Sequence, residues 1–410
     1  MVFGWFHAIW ADDRFDKAMV GQKRFAVGHQ VRPHGSIMES EQCVSQSSSA
    51  FVGTLVDDLD TPSLIVDLDA LDRNIAVLSG MLKERNVGWR PHAKAHKSPA
   101  VAHRLLAAGA IGITCAKLGE AEVYAATGIR DILIANQVVG PIKTRRLAIL
   151  ATEIDVMVAI DSLEGARQLD AAAAAAGSRP RVVIELDSGM GRAGIAPGGP
   201  AVDLARQIVE LGHLRFAGIM AWEGHALSIA DAGQRATAIR TAIQEVLDTA
   251  EAIRKGGIPV GIVSVGGTGT LTTAMEIDGI TELQAGGGIF GDAFYRSLGV
   301  PVEPALSITV TVTSRPSPTR VIVDAGRKTV DPSNVPPVVV GLDDVASIGL
   351  SAEHGNITLT QPSELPRIGD TLTLLIGYSD QAVHLHEQIH AVRNGRIVAV
   401  WPTLARGRLT

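Results

Sequence analysis

The chain has 410 residues, enough for two or three domains of ordinary size, and 46% of them are apolar, which excludes general disorder. Its 37 basic and 43 acidic side chains give a net charge of −6 with no long block of like charge, so a strongly basic nucleic-acid-binding protein is disfavoured. Two cysteines, Cys43 and Cys115, cannot form a disulfide scaffold, and no apolar run reaches the length of a membrane span.

The first segment, residues 1–57, differs from everything after it. It begins with aromatic residues, continues with mixed polar sequence and contains a Ser/Gln run at 45–49 that is typical of a flexible linker. No basic flank precedes an apolar stretch, which disfavours a secretory signal and favours a cytoplasmic protein without membrane or nucleic-acid partners. We expect an N-terminal extension that carries no chemistry of its own.

From Thr61 onward, short β-branched or apolar runs alternate with alanine-rich stretches of helical period. The first run, Ser63–Leu68, precedes a predicted helix at Asp69–Arg85 and could join either the following repeat or a later β domain. Eight further runs are predicted strands: Gly88–Ala93, Gly112–Ala116, Asp131–Ala135, Asp155–Ile160, Arg181–Asp187, Arg215–Trp222, Val260–Val265 and Thr281–Ala285. Predicted helices include Ser98–Ala108, Gly119–Ala126, Ser162–Ala176, Ala201–Leu211 and Ala230–Lys255. This alternation predicts an α/β fold, a (β/α)₈ TIM barrel over residues 58–300, rather than an open doubly wound sheet.

After Gly299 the helical pattern ends and turn-forming residues separate short β-like runs. The predicted strands there are Ala305–Ser314, Arg320–Asp324, Ala346–Ser351, Thr371–Ile376 and Arg396–Trp401. The sequence therefore predicts a C-terminal all-β domain over residues 301–410.

Barrel enzymes carry their active sites at the C-terminal ends of the strands, so the segments that follow the strands are informative. The first barrel strand leads into Arg90-Pro91-His92-Ala93-Lys94-Ala95-His96-Lys97. A lysine flanked by other cations in an apolar setting can have a lowered pKa and form a Schiff base, which points to Lys94. A solvated basic loop is the alternative interpretation of this segment.

Three glycine-rich segments follow the fifth, seventh and eighth strands. Gly189–Arg192 carries an arginine able to neutralise an anionic oxygen, although a surface loop is the alternative. Gly266-Gly267-Thr268 and Gly286-Gly287 provide backbone N–H groups for an anion, at the positions where such barrels bind phosphate. Neither is a dinucleotide fingerprint or a P-loop. Together with a Schiff-base lysine, they indicate pyridoxal phosphate.

Histidines supply the remaining candidates. His225, after the sixth strand, could serve as an acid or base near neutral pH, or could be structural. His384 and His386 would share one strand face and could bind a metal, or could lie on a solvated face.

Several motifs, taken together, resemble the D-threonine aldolase and D-serine dehydratase family. They are Asp60-Thr61-Pro62, the Arg90–Lys97 segment, Ala116–Glu122, Asp187–Arg192, Gly266–Thr268 and Glu353-His354-Gly355. The resemblance covers about residues 58 to 405. It implies the alanine-racemase-like fold (fold type III) and a pyridoxal 5′-phosphate cofactor.

The resemblance also implies roles for individual residues. Lys94 matches the lysine that forms the internal aldimine, and Arg192 matches the arginine at the phenolic oxygen of the cofactor. Gly266, Gly267 and Thr268 fall in the phosphate loop, and Gly286 and Gly287 in the neighbouring cofactor-binding loop. The family further implies a head-to-tail homodimer in which the β domain of one subunit closes the active site of the other.

The chain departs from the family at two places. Many members carry Gly-Ser-Tyr where this chain has Gly286-Gly287-Gly288. The family's divalent-metal motif, His-x-Asp in the aldolases and His-x-Cys in the dehydratases, aligns with Tyr378-Ser379-Asp380. Asp380 is therefore a candidate ligand for Mn²⁺ or Mg²⁺, and it favours the aldolases, but Tyr378 replaces the histidine.

By resemblance, the expected reaction is retro-aldol cleavage of a β-hydroxy-D-α-amino acid, of the D-threonine or D-3-hydroxyaspartate type, to glycine and an aldehyde. The predicted base is His225 or a metal-bound water near Asp380. A D-serine-type dehydratase and an amino-acid racemase stay open as alternatives. A non-catalytic carrier of the cofactor is disfavoured by the β domain, and a barrel hydrolase by the lack of a paired-carboxylate motif.

Overall fold

A computed structural model describes residues 51–410. The predicted extension, residues 1–57, lies outside the described residues except for its last seven, and so does Cys43. Residues 51–57 run along the last strand of the chain, where the Gly53 N–H donates to the Ile397 carbonyl at 2.8 Å. This part of the extension is therefore hydrogen-bonded to the C-terminal region.

The eight predicted barrel strands are all present and parallel, which confirms the barrel. Two backbone hydrogen bonds close it between its first and second strands: Ile111 N–H to the Trp89 carbonyl at 2.8 Å, and Thr114 N–H to the Pro91 carbonyl at 2.9 Å. In spatial order around the sheet they are β2, β9, β8, β7, β6, β5, β4 and β3, with bounds β2 (Gly88–Trp89), β3 (Ile113–Cys115), β4 (Asp131–Gln137), β5 (Asp155–Ile160), β6 (Arg181–Leu186), β7 (Arg215–Ala221), β8 (Ile262–Val265) and β9 (Glu282–Leu283).

Helices surround the barrel and continue past its last strand. They are α1 (Leu68–Glu84), α2 (Pro99–Ala107), α3 (Leu118–Ala126), α4 (Pro141–Glu153), α5 (Leu163–Ala176), α6 (Gly199–Val209), α7 (Ala232–Lys255), α8 (Leu271–Ala274), α9 (Ala293–Ser297) and α10 (Ser379–Ala382). The Ser162 side chain caps α5 by accepting from the Gly165 N–H at 3.2 Å. Gly177 ends this helix in the left-handed conformation, with φ of 67°.

A second, mostly antiparallel sheet has nine strands: β1 (Ser63–Asp67), β10 (Leu306–Ser317), β11 (Arg320–Val323), β12 (Val338–Val340), β13 (Val345–Leu350), β14 (Gly355–Leu359), β15 (Thr371–Leu375), β16 (Gln388–Arg393) and β17 (Arg396–Pro402). The strand left open by the sequence, β1, belongs to this sheet. It pairs antiparallel with β10 and parallel with β16. The chain therefore enters the second sheet, builds the barrel and returns to the second sheet.

One large apolar core joins the barrel, its helices and the second sheet. A separate cluster is formed by side chains of four adjacent barrel strands, Leu133, Met157, Ala159, Val183 and Met220. These residues are the branched and flexible apolar types that fill barrel interiors. Among the helices of residues 51–410, none combines the length and the apolar character needed to cross a bilayer.

Candidate active site

A cavity of about 300 Å³ opens at the C-terminal ends of the barrel strands, where barrel enzymes carry their sites. Its volume is at the lower end of the range typical of small-molecule pockets. Segments that follow most of the barrel strands contribute to its wall, and so do α9 and the turn before α10. The polar and aromatic lining residues are His92, Lys94, Asn136, Gln137, Glu185, Arg192, Trp222, Thr268, Gln284, Phe294, Tyr295 and Tyr378.

Lys94 and Lys97, the two lysines of the basic segment, have different surroundings. Lys94 lies in the short turn Ala93–Ala95 after β2, lines the cavity, and has a side chain that is 42% exposed. Lys97 instead forms an ion pair with the fully buried carboxylate of Glu120. Lys94 is thus the lysine whose amino group can meet a ligand.

His92 lies beside Lys94 and contributes a second nitrogen to this wall. Burial and the neighbouring ammonium of Lys94 hold the pKa of His92 well below its usual range, so its imidazole is neutral near pH 7. Its Nδ1 accepts from the Lys94 backbone N–H at 3.3 Å. The ring therefore helps to fix the turn that carries the lysine.

The glycine loops after β8 and β9 have no room for side chains. A Cβ at Gly267 would lie 2.5 Å from ring atoms of Trp222, and one at Gly286 would lie 2.3 Å from the His92 carbonyl oxygen. The Thr268 hydroxyl accepts from the Gly288 N–H at 3.0 Å and so joins the two loops. These loops expose backbone rather than side chains to the cavity, which suits a bound phosphate.

Arg192 and Glu185 face each other on another wall. Arg192 Nη2 lies 3.6 Å from Glu185 Oε1, and the arginine side chain is 58% exposed whereas the glutamate is buried. Burial raises the pKa of Glu185, against the opposing effects of Gln137 and Arg192. The arginine is therefore held by one buried acid and remains available to an anionic group.

His225 is not among the residues that line the cavity. Its ring lies against the loop that carries Arg192, where a Cβ at Gly189 would be 2.8 Å from Cε1. Its Nδ1 is buried and has no hydrogen-bond partner among residues 51–410. The neighbouring Glu223 is fully buried, accepts from Thr270 and has a pKa raised by burial, so it supports the fold of this region.

Asp380 lies at the start of α10 and reaches Lys94. Its Oδ2 lies 3.1 Å from Lys94 Nζ and accepts from the Tyr378 hydroxyl at 3.1 Å. Its Oδ1 is buried without a hydrogen-bond partner among the described residues. The fold thus joins a residue of the second domain to the barrel lysine within one chain.

Tyr295 was not predicted from the sequence as a site residue, and Tyr378 appeared only as a replacement. Their rings lie 5.7 Å apart, and Phe294 completes an edge-to-face cluster at 5.1 Å from Tyr378. The cavity-lining residues Trp222 and Gln137 were also missed. Only proximity in the fold reveals them, because none belongs to a motif with a chemical signature.

The side chains around Asp380 do not form a donor set for a divalent metal. Residues 51–410 contain no group of three or more His, Cys, Asp or Glu side chains placed to hold one. The partners of Asp380 are an ammonium and a phenol, and burial together with Asp380 raises the pKa of the Tyr378 phenol, which keeps it protonated. A metal prefers oxygen anions and neutral imidazoles, and an ammonium at 3.1 Å from the carboxylate competes with it.

Two families match the chain. Residues 66–293 match the family described as Alanine racemase, N-terminal domain, and residues 305–392 match the Putative serine dehydratase domain. The first match spans the barrel strands, and the second spans most of the C-terminal sheet. Both agree with the family resemblance of the sequence.

Individual relatives extend over nearly the whole described chain. The sequence is 35% identical to D-threonine aldolase of Arthrobacter sp over 353 residues, which cover 85% of this chain and 93% of that enzyme. It is 34% identical to 3-hydroxy-D-aspartate aldolase of Paracoccus denitrificans over 362 residues, covering 86% and 93%. The crystal structure of D-threonine aldolase from Filomicrobium marinum matches with a TM-score of 0.85 at 35% identity, covering 88% of this chain and 99% of that one.

Proposed function

The chain belongs to the family of D-threonine aldolase and 3-hydroxy-D-aspartate aldolase, and from this premise we propose a pyridoxal-phosphate-dependent lyase that cleaves a β-hydroxy-D-α-amino acid into glycine and an aldehyde. The observation that carries the proposal is the arrangement of the cavity. Lys94 faces it, beside glycine loops for an anion and near the buried carboxylate of Asp380.

The residues present fit the cofactor. Lys94 would hold its aldehyde carbon, and Arg192 its phenolic oxygen. The backbone around Gly266–Thr268 and Gly286-Gly287 would hold its phosphate, because these loops present N–H groups without side chains. A Cβ at these glycines would clash with neighbouring residues: Leu283, Trp222, His92 or Tyr295. When bound, pyridoxal phosphate supplies a sink for the electron pair released at Cα.

The chain itself must move protons at the substrate. The β-hydroxyl loses its proton, its oxygen becomes the aldehyde carbonyl as Cα–Cβ breaks, and Cα gains a proton to become the methylene of glycine. We retain His225 as the proposed acceptor of the hydroxyl proton. Its support is its contact with the loop of Arg192, through Gly189.

Binding of Mn²⁺ or Mg²⁺ at Asp380 is not part of the proposal. The partners of this carboxylate are Lys94 and Tyr378, and burial together with Asp380 raises the pKa of the Tyr378 phenol, so the phenol stays protonated and is not a metal donor.

Dehydration and racemisation are the alternatives on the same fold. The match of residues 305–392 to a putative serine dehydratase domain keeps dehydration as a second candidate. Asp380 favours cleavage, because the dehydratases of the family carry a cysteine at that position. The products distinguish the two reactions: glycine and an aldehyde for the lyase, ammonia and a keto acid for the dehydratase.

Incubation of the purified protein with the cofactor and four D-amino acids tests the proposal. We expect glycine as the main product from D-threonine, D-phenylserine or D-3-hydroxyaspartate. From D-serine we do not expect more glycine than ammonia. Lys94→Ala should abolish the visible absorbance of the lysine-bound cofactor, and His225→Asn should lower kcat at least about a hundredfold if the imidazole accepts the proton. Ammonia and keto acid as the main products would favour the dehydratase instead.

A homodimer is likewise proposed, and it rests on the family resemblance; the cytoplasmic location stays a prediction from the sequence. Light scattering after size exclusion should give a mass twice that of the chain. A monomeric mass for an active preparation would contradict the dimer.

A further inference from the structure

The chain contains three tyrosines, and the fold brings two of them to the cavity. Tyr295 lies on α9, directly after the barrel, and Tyr378 lies 83 positions later, before α10. Their rings pack edge to face at 5.7 Å. Two of the three tyrosines of the chain therefore line this cavity.

Tyr295 occupies space that a glycine leaves open. A Cβ at Gly287 would lie 2.4 Å from Tyr295 Cε2 and 3.0 Å from its hydroxyl oxygen. A serine at this position would therefore require the Tyr295 ring to shift. The absence of a side chain at Gly287 leaves room for the Tyr295 ring at the cavity.

Tyr378 aligns with the histidine of the family's metal motif, and it contacts Asp380, which aligns with the carboxylate of that motif. Its hydroxyl donates to Asp380 Oδ2 at 3.1 Å, and Lys94 Nζ lies 3.1 Å from this oxygen. The hydrogen bond from the Tyr378 phenol to this carboxylate does not depend on Lys94, so it persists when Lys94 holds the cofactor. The side chains of this chain thus fill the place where the family motif would bind a metal.

We propose that the phenols of Tyr378 and Tyr295, anchored by Asp380, replace the divalent metal in this chain and hold the β-oxygen of the substrate during cleavage. The inference rests on the proposed function. As the β-hydroxyl loses its proton, negative charge develops on its oxygen. The Tyr378 hydroxyl, whose one proton is donated to Asp380 in the unliganded site, turns to that oxygen and stabilises the charge where other family members use a metal ion. The electron balance is unchanged: the charge leaves this oxygen as it becomes the aldehyde carbonyl.

Metal binding is the first test, and it does not depend on activity. The holoenzyme is titrated with Mn²⁺ while free Mn²⁺ is followed by electron paramagnetic resonance. We expect no stoichiometric binding, and we expect that dialysis against a chelator leaves the rate of glycine release unchanged. Binding of one equivalent, or loss of the rate on chelation with recovery on adding Mn²⁺, would overturn the proposal.

Removal of single hydroxyl groups is the second test. Tyr378→Phe should lower kcat about a hundredfold, the effect of losing one such donor, with no recovery on adding Mn²⁺. Tyr124→Phe is the matched control, because the Tyr124 hydroxyl is buried without a partner among residues 51–410 and does not line the cavity. Circular dichroism and the cofactor absorbance verify that both variants fold and bind cofactor. A full rate in Tyr378→Phe contradicts the proposal.

Ligand affinity separates a direct role from a structural one. D-2-Aminobutyrate has the carbon skeleton of D-threonine without the β-hydroxyl, so its inhibition constant should be unchanged in Tyr378→Phe. The affinity for D-threonine should fall in this variant, so that the preference for D-threonine over D-2-aminobutyrate is lost. Equal losses for both ligands would contradict contact with the β-oxygen. If no variant and no metal condition yields glycine, the proposed function fails, whereas Mn²⁺ binding still decides whether the tyrosines have replaced the metal.

Discussion

Lys94 and Lys97 lie three residues apart, yet the fold gives their ammonium groups opposite tasks. Lys94 reaches an open cavity, whereas Lys97 neutralises Glu120, a carboxylate with no exposure to solvent. Glu120 also accepts from the backbone N–H groups of Ala116 and Lys117, at 2.7 and 2.9 Å. A buried charge with a full set of partners fixes the segment after β3 and, through Lys97, the segment that carries Lys94.

Lys97→Met is therefore expected to destabilise the protein by about 3–5 kcal/mol, because it leaves a buried carboxylate without its cation. Urea unfolding measures the loss, and the cofactor absorbance of the folded variant should persist. Lys94→Met is the matched control: it should lose the absorbance with a smaller loss of stability, because its side chain is 42% exposed and Asp380 keeps the hydrogen bond from Tyr378. Loss of absorbance in Lys97→Met at wild-type stability would reverse the two assignments.

The site residues that the sequence indicated lie in contiguous segments. Lys94 and Gly266–Thr268 each follow a strand, and their residue types carry the chemistry, so a local pattern is enough to propose them. Tyr295 could not be found in this way, because its place in the site depends on its contacts with Gly287 in one loop and Tyr378 in another. Contacts between distant positions of the chain leave no local pattern.

At the scale of elements, the barrel strands were predictable because both of their faces are buried, which gives short apolar, β-branched runs. The strands β12, β14 and β16 were missed, because β12 has only three residues and β14 and β16 mix polar with apolar residues. Helix α4 was missed as well: its sequence, PIKTRRLAILATE, has a weak apolar stripe, and only its packing beside α5 makes it a helix of the barrel.

The short helix α9 depends on one buried carboxylate that also holds α10. Asp292 accepts from the Tyr295 N–H at 2.9 Å and, through Oδ2, from the N–H and hydroxyl of Ser379 at 2.8 and 2.7 Å. This carboxylate therefore sets the positions of Tyr295 and of the turn that carries Tyr378. Burial raises the pKa of Asp292 to about 6, in spite of these hydrogen bonds.

This pKa predicts a pH dependence of stability. Between about pH 4 and pH 6 the folded chain holds a proton on Asp292 that the unfolded chain has released, so the free energy of unfolding falls as pH rises through this window, by up to about 3 kcal/mol. Asp292→Asn lacks this group. The melting temperature of the wild type relative to the variant should fall between pH 4 and pH 6 and be constant above it, and a pH-independent difference would contradict the raised pKa.

At the scale of the molecule, the second domain is built from both sides of the barrel in sequence. Strand β1 lies between β10 and β16 in the sheet, and its Leu64, Ile65 and Val66 are buried. Without β1, the edges of β10 and β16 would lose their partner in the middle of the sheet. The barrel is in effect inserted into the second domain. Residues 301–410 are therefore an incomplete domain, because they lack strand β1.

Residues 301–410 alone are therefore expected not to fold, whereas a fusion that restores β1 should. The Asp67 N–H donates to the Ala305 carbonyl at 2.8 Å, so residues 51–67 can be joined to residues 304–410 through a short glycine-rich turn. Amide dispersion in NMR spectra and thermal unfolding compare the two fragments. The fusion should show dispersed amides and a cooperative transition. Cooperative unfolding of 301–410 at the same temperature would mean that β1 adds nothing to the sheet. A strand that contributes three buried side chains and two ladders of hydrogen bonds must shift the midpoint when it is removed.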